Sequence, residues 1–144
     1  MPFDTTKVIP DDWSQHHAPV AAGGMNATVR IYNPADDVPG WDPVTESQTL
    51  VHGAPVYDGP ARVQELNRPD HATQADQDVT SHQYLVQLVM DAAHIEKGWA
   101  LVVSECANDP DVVAWTATRE AVINDVQHGS ERFTRDIGAT INLD

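Results

Sequence analysis

The chain has 144 residues, which is the length of a single domain. It contains 8 Lys and Arg against 22 Asp and Glu, so its formal net charge is −14 with histidine neutral. Binding to duplex DNA or to an anionic membrane depends on clustered basic residues, and this balance argues against both. A hydrophobic content of 41% with four tryptophans argues against intrinsic disorder. The single cysteine excludes an intrachain disulfide framework and a multi-cysteine zinc site.

The acidic residues are spread evenly along the chain. Segments 1–50, 51–100 and 101–144 have net charges of −5, −4 and −5. An acidic tail would indicate an interaction appendage, whereas this distribution makes the whole surface anionic. Two interpretations stay open: the charge serves solubility alone, or it keeps the surface near polyanionic DNA without binding it.

The sequence contains no apolar run of the roughly 18–20 residues that a membrane span needs. The first residues lack a basic segment followed by an apolar one, so we expect no secretory signal. We therefore expect a protein that is made in a reducing cytoplasm or built into an assembly there.

Residues 1–24 are typical of an N-terminal arm, which precedes a domain of residues 25–144. Residues 10–17 favour a short helix that an aspartate near its start would cap, with Trp13 as its anchoring side chain. Pro19, followed by Gly23 and Gly24, predicts the end of this helix.

Residues 27–32 begin the domain with alternation typical of a strand, because Val29 and Ile31 share one face. Residues 33–52 are polar and contain three prolines, which predicts a loop, with 48–51 as an optional edge strand. Residues 55–60 predict a short strand broken by an Asp-Gly-Pro turn, and 61–66 resume extended structure.

Residues 67–78 predict a second polar loop with no apolar side chain larger than alanine. Loops of about a dozen residues are usually functional or disordered. The polar residues singled out in it are Asn67, Asp70, His71, Asp76 and Asp78.

Residues 79–90 form the longest predicted strand, with Tyr84, Val86, Leu88 and Met90 on one face. Further strands are predicted at 98–105, 112–116 and 121–126, and in a final segment where Ile137 alternates with polar residues. The sequence also allows a short helix within residues 92–97. Six or seven short strands with close spacing predict an all-β fold, a small antiparallel barrel or sandwich with a short N-terminal helix.

The sequence offers little support for catalysis or for a cofactor. The seven histidines are scattered and none has metal-ligand spacing. Cys106 follows Glu105, whereas a reactive thiolate needs positive neighbours. We therefore expect no enzyme, no metal and no cofactor. Arg119 follows a predicted strand and Arg135 falls on the apolar face of the last one; each would pair with an acid of the same chain or with another subunit.

Several segments resemble a known protein family when taken in chain order. They are Pro10-Asp11-Asp12-Trp13, the strand at 25–31, Val56-Tyr57-Asp58-Gly59-Pro60-Ala61-Arg62-Val63, Gly98-Trp99, Asn108-Asp109-Pro110, and Val126-Gln127-His128-Gly129-Ser130 with Arg135. The resemblance extends over most of residues 9–143. The pattern resembles the small head-to-tail connectors of tailed bacteriophages that infect actinobacteria, of the stopper or head-completion type.

The resemblance implies a barrel that assembles into a ring beneath the portal and adaptor proteins of the virion. Such a ring closes the DNA exit, lets the genome pass without specific binding, and docks the tail. A loop of such proteins enters the channel as a plug, and residues 67–78 are the matching candidate, with residues 33–53 as the rival. Trp13, Arg119 and Arg135 become candidate interface residues.

Two other functions stay open. The first is a tail terminator or minor tail ring protein, which would bind the tail tube instead of the portal or adaptor. The second is a barrel that binds an anionic small ligand or a carbohydrate through Trp41, Trp99 and Trp115.

Overall fold

The structure is a computed structural model that describes residues 12–66, 70–74, 77–128 and 134–142. These residues form two α-helices, α1 (Trp13–Gly23) and α2 (Pro110–Thr118). A short 3-10 helix lies at Pro34–Asp36. The strands are β1 (Ala27–Tyr32), β2 (Val38–Asp42), β3 (Ser47–Val51), β4 (Tyr57–Glu65), β5 (Asp70–Gln74), β6 (Gln77–Val89), β7 (Ala100–Cys106), β8 (Ala121–Val126) and β9 (Thr134–Asn142).

Six antiparallel strands form a closed barrel. The sheet order is β4-β1-β7-β8-β9-β6, and β4 pairs in turn with β6, from Ala61 opposite Leu88 to Glu65 opposite Tyr84. Closure gives each of these six strands a neighbour on both sides over part of its length. The predicted fold class, a small all-β barrel with a short helix before it, is confirmed.

The barrel interior is filled by aliphatic side chains that alternate along the strands. Val29 and Ile31 of β1 are fully buried, as predicted, and so are Val86 and Leu88 of β6. Tyr84 is buried beside them, whereas Met90 lies beyond the end of β6 and is exposed. The interior space lined by residues of β4, β6, β7, β8, β9 and α2 leaves no volume that would hold a water molecule.

Helix α2 replaces the strand that was predicted at residues 112–116. Asp109 caps the helix, since its carboxylate accepts a hydrogen bond from the backbone N–H of Asp111 at 3.2 Å, and Pro110 occupies the first turn. Asp followed by Pro is a typical helix start. The β-branched residues Val112 and Thr116 are one turn apart, so both reach the core from a helix.

The helix also completes the hydrogen bonding of β7. Strands β7 and β8 pair only at Ala100 and Leu101, so the rest of β7 lies beyond β8. There the backbone N–H of Val103 donates to Thr116 Oγ1 at 3.0 Å, and this hydroxyl donates to the Val112 carbonyl at 3.0 Å. A buried side chain thus supplies the partner that a neighbouring strand would otherwise provide.

Strand β4 runs without a break through Gly59 and Pro60, where a turn was predicted. Residues 57–61 pair with β1 and residues 61–65 pair with β6. Pro60 therefore lies where β4 has a neighbour on one side, the position at which a strand tolerates proline. Tyr57 stabilises the segment by donating its hydroxyl to the Pro60 carbonyl at 2.6 Å.

Helix α1 continues through Pro19, which was predicted to end it, and stops at Gly23. The alanines after Pro19 favour the helix. The backbone N–H of Gly24 then donates to the Ala21 carbonyl at 3.1 Å. The helix packs against β9. Neither described helix is long and apolar enough to cross a bilayer.

Residues 92–97 contain no helix and run as an irregular connection between β6 and β7. Ile95 anchors this connection, because its side chain is buried in the barrel core.

Replacing Thr116 by valine tests the junction between α2 and β7. Thr116→Val keeps the shape of the side chain but leaves the buried Val103 N–H without its partner, which costs about 1–3 kcal/mol of unfolding free energy. Thr116→Ser keeps the hydroxyl and is the matched control, with a smaller loss. Urea unfolding of both variants measures the difference; equal stabilities would contradict this role of the hydroxyl.

Candidate assembly surface

Strands β2 and β3 form a hairpin that is separate from the barrel sheet, within the segment where a loop and an optional edge strand were predicted. The pairing runs from Val38 opposite Val51 to Asp42 opposite Ser47. Every residue of β3 is exposed, and β2 is exposed at three of its five positions. An isolated two-stranded sheet is marginally stable in water, so the stability of this hairpin depends on the contacts at its base.

The hairpin carries most of the exposed large apolar side chains of the described residues. Trp41 is 63% exposed and Leu50 is 71% exposed, and the strand register places both on one face with Pro39 and Gln48. Val38 and Val51, each about half exposed, lie opposite one another on the other face. Large apolar side chains are therefore exposed on both faces of the hairpin.

The tip of the hairpin is a four-residue turn held by Asp42. Its carboxylate accepts hydrogen bonds from the Val44 backbone N–H and from the Thr45 hydroxyl, both at 2.9 Å. Both hydrogen bonds lower the pKa of Asp42, and the bond from Val44 has the larger effect. Glu46 has a φ of 49°, in the left-handed region that a tight turn requires. The tip is therefore ordered, although Val44 is 89% exposed.

The base of the hairpin is fixed by His52, which lies between two carboxylates. Its Nδ1 is 2.8 Å from Asp37 Oδ1, before β2, and its Nε2 bonds Glu120, just before β8. The ring stacks on Tyr32 at the end of β1, with centroids 4.4 Å apart and planes 11° apart. The histidine therefore connects the hairpin to two barrel strands.

This arrangement favours the protonated imidazole. The hydrogen bond to Asp37 is the largest cause that raises the pKa of His52 above 6.5, and partial burial opposes it. The bond to Glu120 and the charges of both carboxylates also raise the pKa. An imidazolium with both N–H groups donating satisfies both carboxylates, whereas the neutral ring has only one N–H to donate.

A close backbone approach supports the same base. A Cβ added to Gly53 would lie 2.7 Å from the carbonyl oxygen of Asp36, which is too close for any other residue type. Gly53 therefore lets the end of the hairpin lie against the short 3-10 helix, next to Asp37.

An apolar groove of about 530 Å³ lies between α1 and the end of β6. Its apolar lining is contributed by both elements, and Gln15 and Asp91 are its polar members. The apolar lining residues are Ala18, Pro19, Ala22, Met25, Val89 and Met90.

The predicted polar loop at 67–78 is largely a second hairpin. Asp70 and His71 lie in β5, opposite Ser81 and Thr80 of β6, and Asp78 lies in β6 opposite Thr73. Asn67 and Asp76 lie outside the described residues. Among the described strands β5 pairs with β6 alone, on a part of β6 that extends past its pairing with β4. Its role as a plug stays a prediction.

The predicted interface residues lie on three different elements. Trp13 begins α1 half-buried, with its ring 4.7 Å from that of His17. Arg119 caps the end of α2 and is exposed. Arg135 lies in β9 opposite Leu88 and is half-buried.

Sequence reasoning missed the residues that hold the hairpin: Asp37, His52 and Glu120. Within the described ranges no three His, Cys, Asp or Glu side chains are grouped to hold a metal ion. Trp41 was named only as a ligand-binding candidate. The available signal was that Trp41 and Leu50 occur with three valines in a segment that is otherwise polar.

A protein-family model matches residues 17–140, from within α1 to within β9. The chain belongs to this family, DUF6093, a family of unknown function. The DUF6093 match covers the barrel as far as residue 140 in β9, the β2–β3 hairpin, and α1 from residue 17 onward. No curated protein matches the chain.

Protonation of His52 should control the rigidity of the hairpin. A pKa raised by folding stabilises the folded state fully below the unfolded pKa of about 6.5, and this stabilisation is lost as pH rises through the higher folded pKa. Amide hydrogen exchange in β2 and β3, corrected for intrinsic rates, should therefore accelerate over that rise. His52→Gln should exchange fast at every pH.

The matched control is His94→Gln, because His94 also pairs with a carboxylate, Glu96 at 3.1 Å, but is exposed and belongs to the connection between β6 and β7. It should leave the pH dependence unchanged. Hairpin exchange that is independent of pH in the unmodified chain would contradict the role of His52.

Proposed function

We propose that this protein is a virion structural protein of a tailed bacteriophage, a head-to-tail stopper or connector that forms a homo-oligomeric ring at the capsid–tail junction. It would close the DNA exit channel there and dock the tail. Its partners would be its own copies, the portal or adaptor protein, and a tail terminator or tail tube protein. The observation that carries this proposal is the apolar β2–β3 hairpin, exposed on a chain of net charge −14.

The even acidic charge supports passage of DNA without binding. A genome that leaves a capsid slides through the neck, and basic residues along its path would hold it by releasing counterions. Acidic side chains repel phosphates, although at physiological salt they act only over about 8 Å. The groups that matter are therefore those that line the channel.

The β5–β6 hairpin supports the closing role. It contains Asp70, His71 and Asp78, and it extends from the barrel wall on one long strand, β6. A hairpin can reach into a channel with fixed geometry, because its backbone groups pair with each other. We assign to it the lumen or plug position that the sequence resemblance implies.

The filled barrel interior speaks against the ligand-binding alternative. The tryptophans proposed for it lie on different elements: Trp41 on β2, Trp99 before β7, and Trp115 on α2. Trp99 and Trp115 pack against the core, and the Trp115 ring lies 5.5 Å from that of His82. An exposed hairpin fits assembly better than it fits a small ligand.

Immunogold electron microscopy tests the location. Antibody raised against this protein should label purified phage particles at the junction between capsid and tail. Tail-less filled heads should be labelled at one vertex. Unlabelled particles would overturn the proposal, and label on isolated tail tubes without label on heads would indicate a tail terminator instead.

Deletion of residues 70–77 tests the plug. The variant removes β5, which pairs with β6 alone among the described strands, so the barrel should fold and the ring should still be labelled at the junction. Filled heads that carry the variant should lose their DNA on storage, measured by nuclease sensitivity. The control variant Glu96→Gln removes one acidic charge from the exposed connection between β6 and β7. Heads that carry this control should retain their DNA. Normal DNA retention by the deletion variant would remove the plug assignment.

A further inference from the structure

We propose that the β2–β3 hairpin of each copy inserts its Trp41–Leu50 face into the groove between α1 and β6 of the next copy. The inference rests on the proposed ring, for which it names the contact between subunits. Trp41 and Leu50 remain exposed in the single chain, so the chain's own groove does not cover them.

The two surfaces match in chemistry. The hairpin face presents an indole and a leucine side chain, flanked by Pro39 and Gln48. The groove presents alanines, a proline and two methionines, and methionine adapts its shape to a partner. A volume of about 530 Å³ is within the range of about 300–1,000 Å³ that holds a drug-sized ligand, which is enough for both side chains.

Both surfaces are poor in charged residues, and Asp91 is the one acidic residue that lines the groove. Two copies of net charge −14 repel, so they can meet only where acidic residues are sparse. Residues 13–29, which include all of α1, contain no Asp, Glu, Lys or Arg. The strands of the hairpin carry one charged residue, Asp42, at the turn. The cores of protein interfaces are depleted in charge in the same way.

The geometry is head-to-tail. None of the residues that line the groove belongs to the hairpin, so each copy has one inserting element and one receiving groove. Reciprocal insertion between two copies would satisfy both surfaces in a closed dimer, and it is the proposed ring that makes the contact head-to-tail. Such a heterologous contact leaves a free hairpin and a free groove after every addition, and it closes as a ring where the rotation allows. One hairpin face offers a small contact compared with the about 800 Å² per partner of a stable interface. We therefore expect weak pairing in dilute solution that strengthens by repetition around a ring.

Disulfide trapping between separately purified variants tests the contact. In a Cys106→Ala background, which removes the chain's own thiol, Leu50→Cys protein is mixed with Ala22→Cys protein at millimolar concentration and oxidised. The mixture should cross-link at least tenfold faster than Leu50→Cys with Val20→Cys. Val20 is the matched control because it is 75% exposed on α1 and does not line the groove.

A variant that carries both Leu50→Cys and Ala22→Cys tests the repetition. It should give a ladder of cross-linked species beyond the dimer, whereas dimers alone would overturn the head-to-tail arrangement. Sedimentation velocity gives an independent measure: Trp41→Ser should reduce self-association at least tenfold, and Val122→Ser, which removes another exposed apolar side chain, should not. Unchanged circular dichroism melts verify folding of each variant.

Equal cross-linking to Ala22→Cys and Val20→Cys, or none at millimolar concentration, would overturn the inference. If particles are labelled at the junction in that case, the hairpin covers another neck protein and the proposed function stands. If trapping succeeds and particles are unlabelled, the self-contact stands and the proposed location fails.

Discussion

The pairing of β4 with β6 closes the sheet, and this closure decides where the protein can act. A six-stranded barrel is narrow, and its interior is filled by its own aliphatic side chains and by Tyr84. The Tyr84 hydroxyl is buried without a hydrogen-bond partner among the described residues, and burial, with smaller effects from Glu65 and Asp109, raises its pKa to about 12. The interior is therefore a packed core, and the groove and the β2–β3 hairpin lie outside it.

The sequence predicts those parts of the wall where one face of a strand is buried. The alternation of apolar and polar residues identified β1 and most of β6. In both strands every second side chain is buried in the core, as Val29 is in β1 and Val86 is in β6. It failed at 112–116, where β-branched residues fit a strand or a buried helix equally well. The capping carboxylate of Asp109 distinguishes the two. The hydrogen bond from the Val103 N–H to Thr116 could not be predicted from the sequence. It follows from the short pairing between β7 and β8, which leaves that N–H without a strand partner.

The β2–β3 hairpin was harder to predict for a physical reason. A hairpin with both faces in solvent has no buried side to impose alternation, so Pro39 and Gly40 in β2 were typical of a loop. Its stability comes from its base, where His52 bonds Glu120, 68 residues further along the chain. No local pattern contains such a contact. The β5–β6 hairpin escaped prediction in the same way, because residues 70–74 contain no large apolar side chain.

The histidine at the base couples the shape of the hairpin to its charge. Protonated His52 places one positive charge between Asp37 and Glu120, so the base keeps its geometry and carries less net negative charge. As pH rises through the raised pKa of His52, the hairpin loses a bond to the barrel and its base becomes more negative. Both changes oppose insertion into a neighbour that is itself acidic. The protonation state that orders the hairpin is therefore also the one in which like-charged copies approach most easily, and assembly should weaken over the same pH range in which the hairpin loosens.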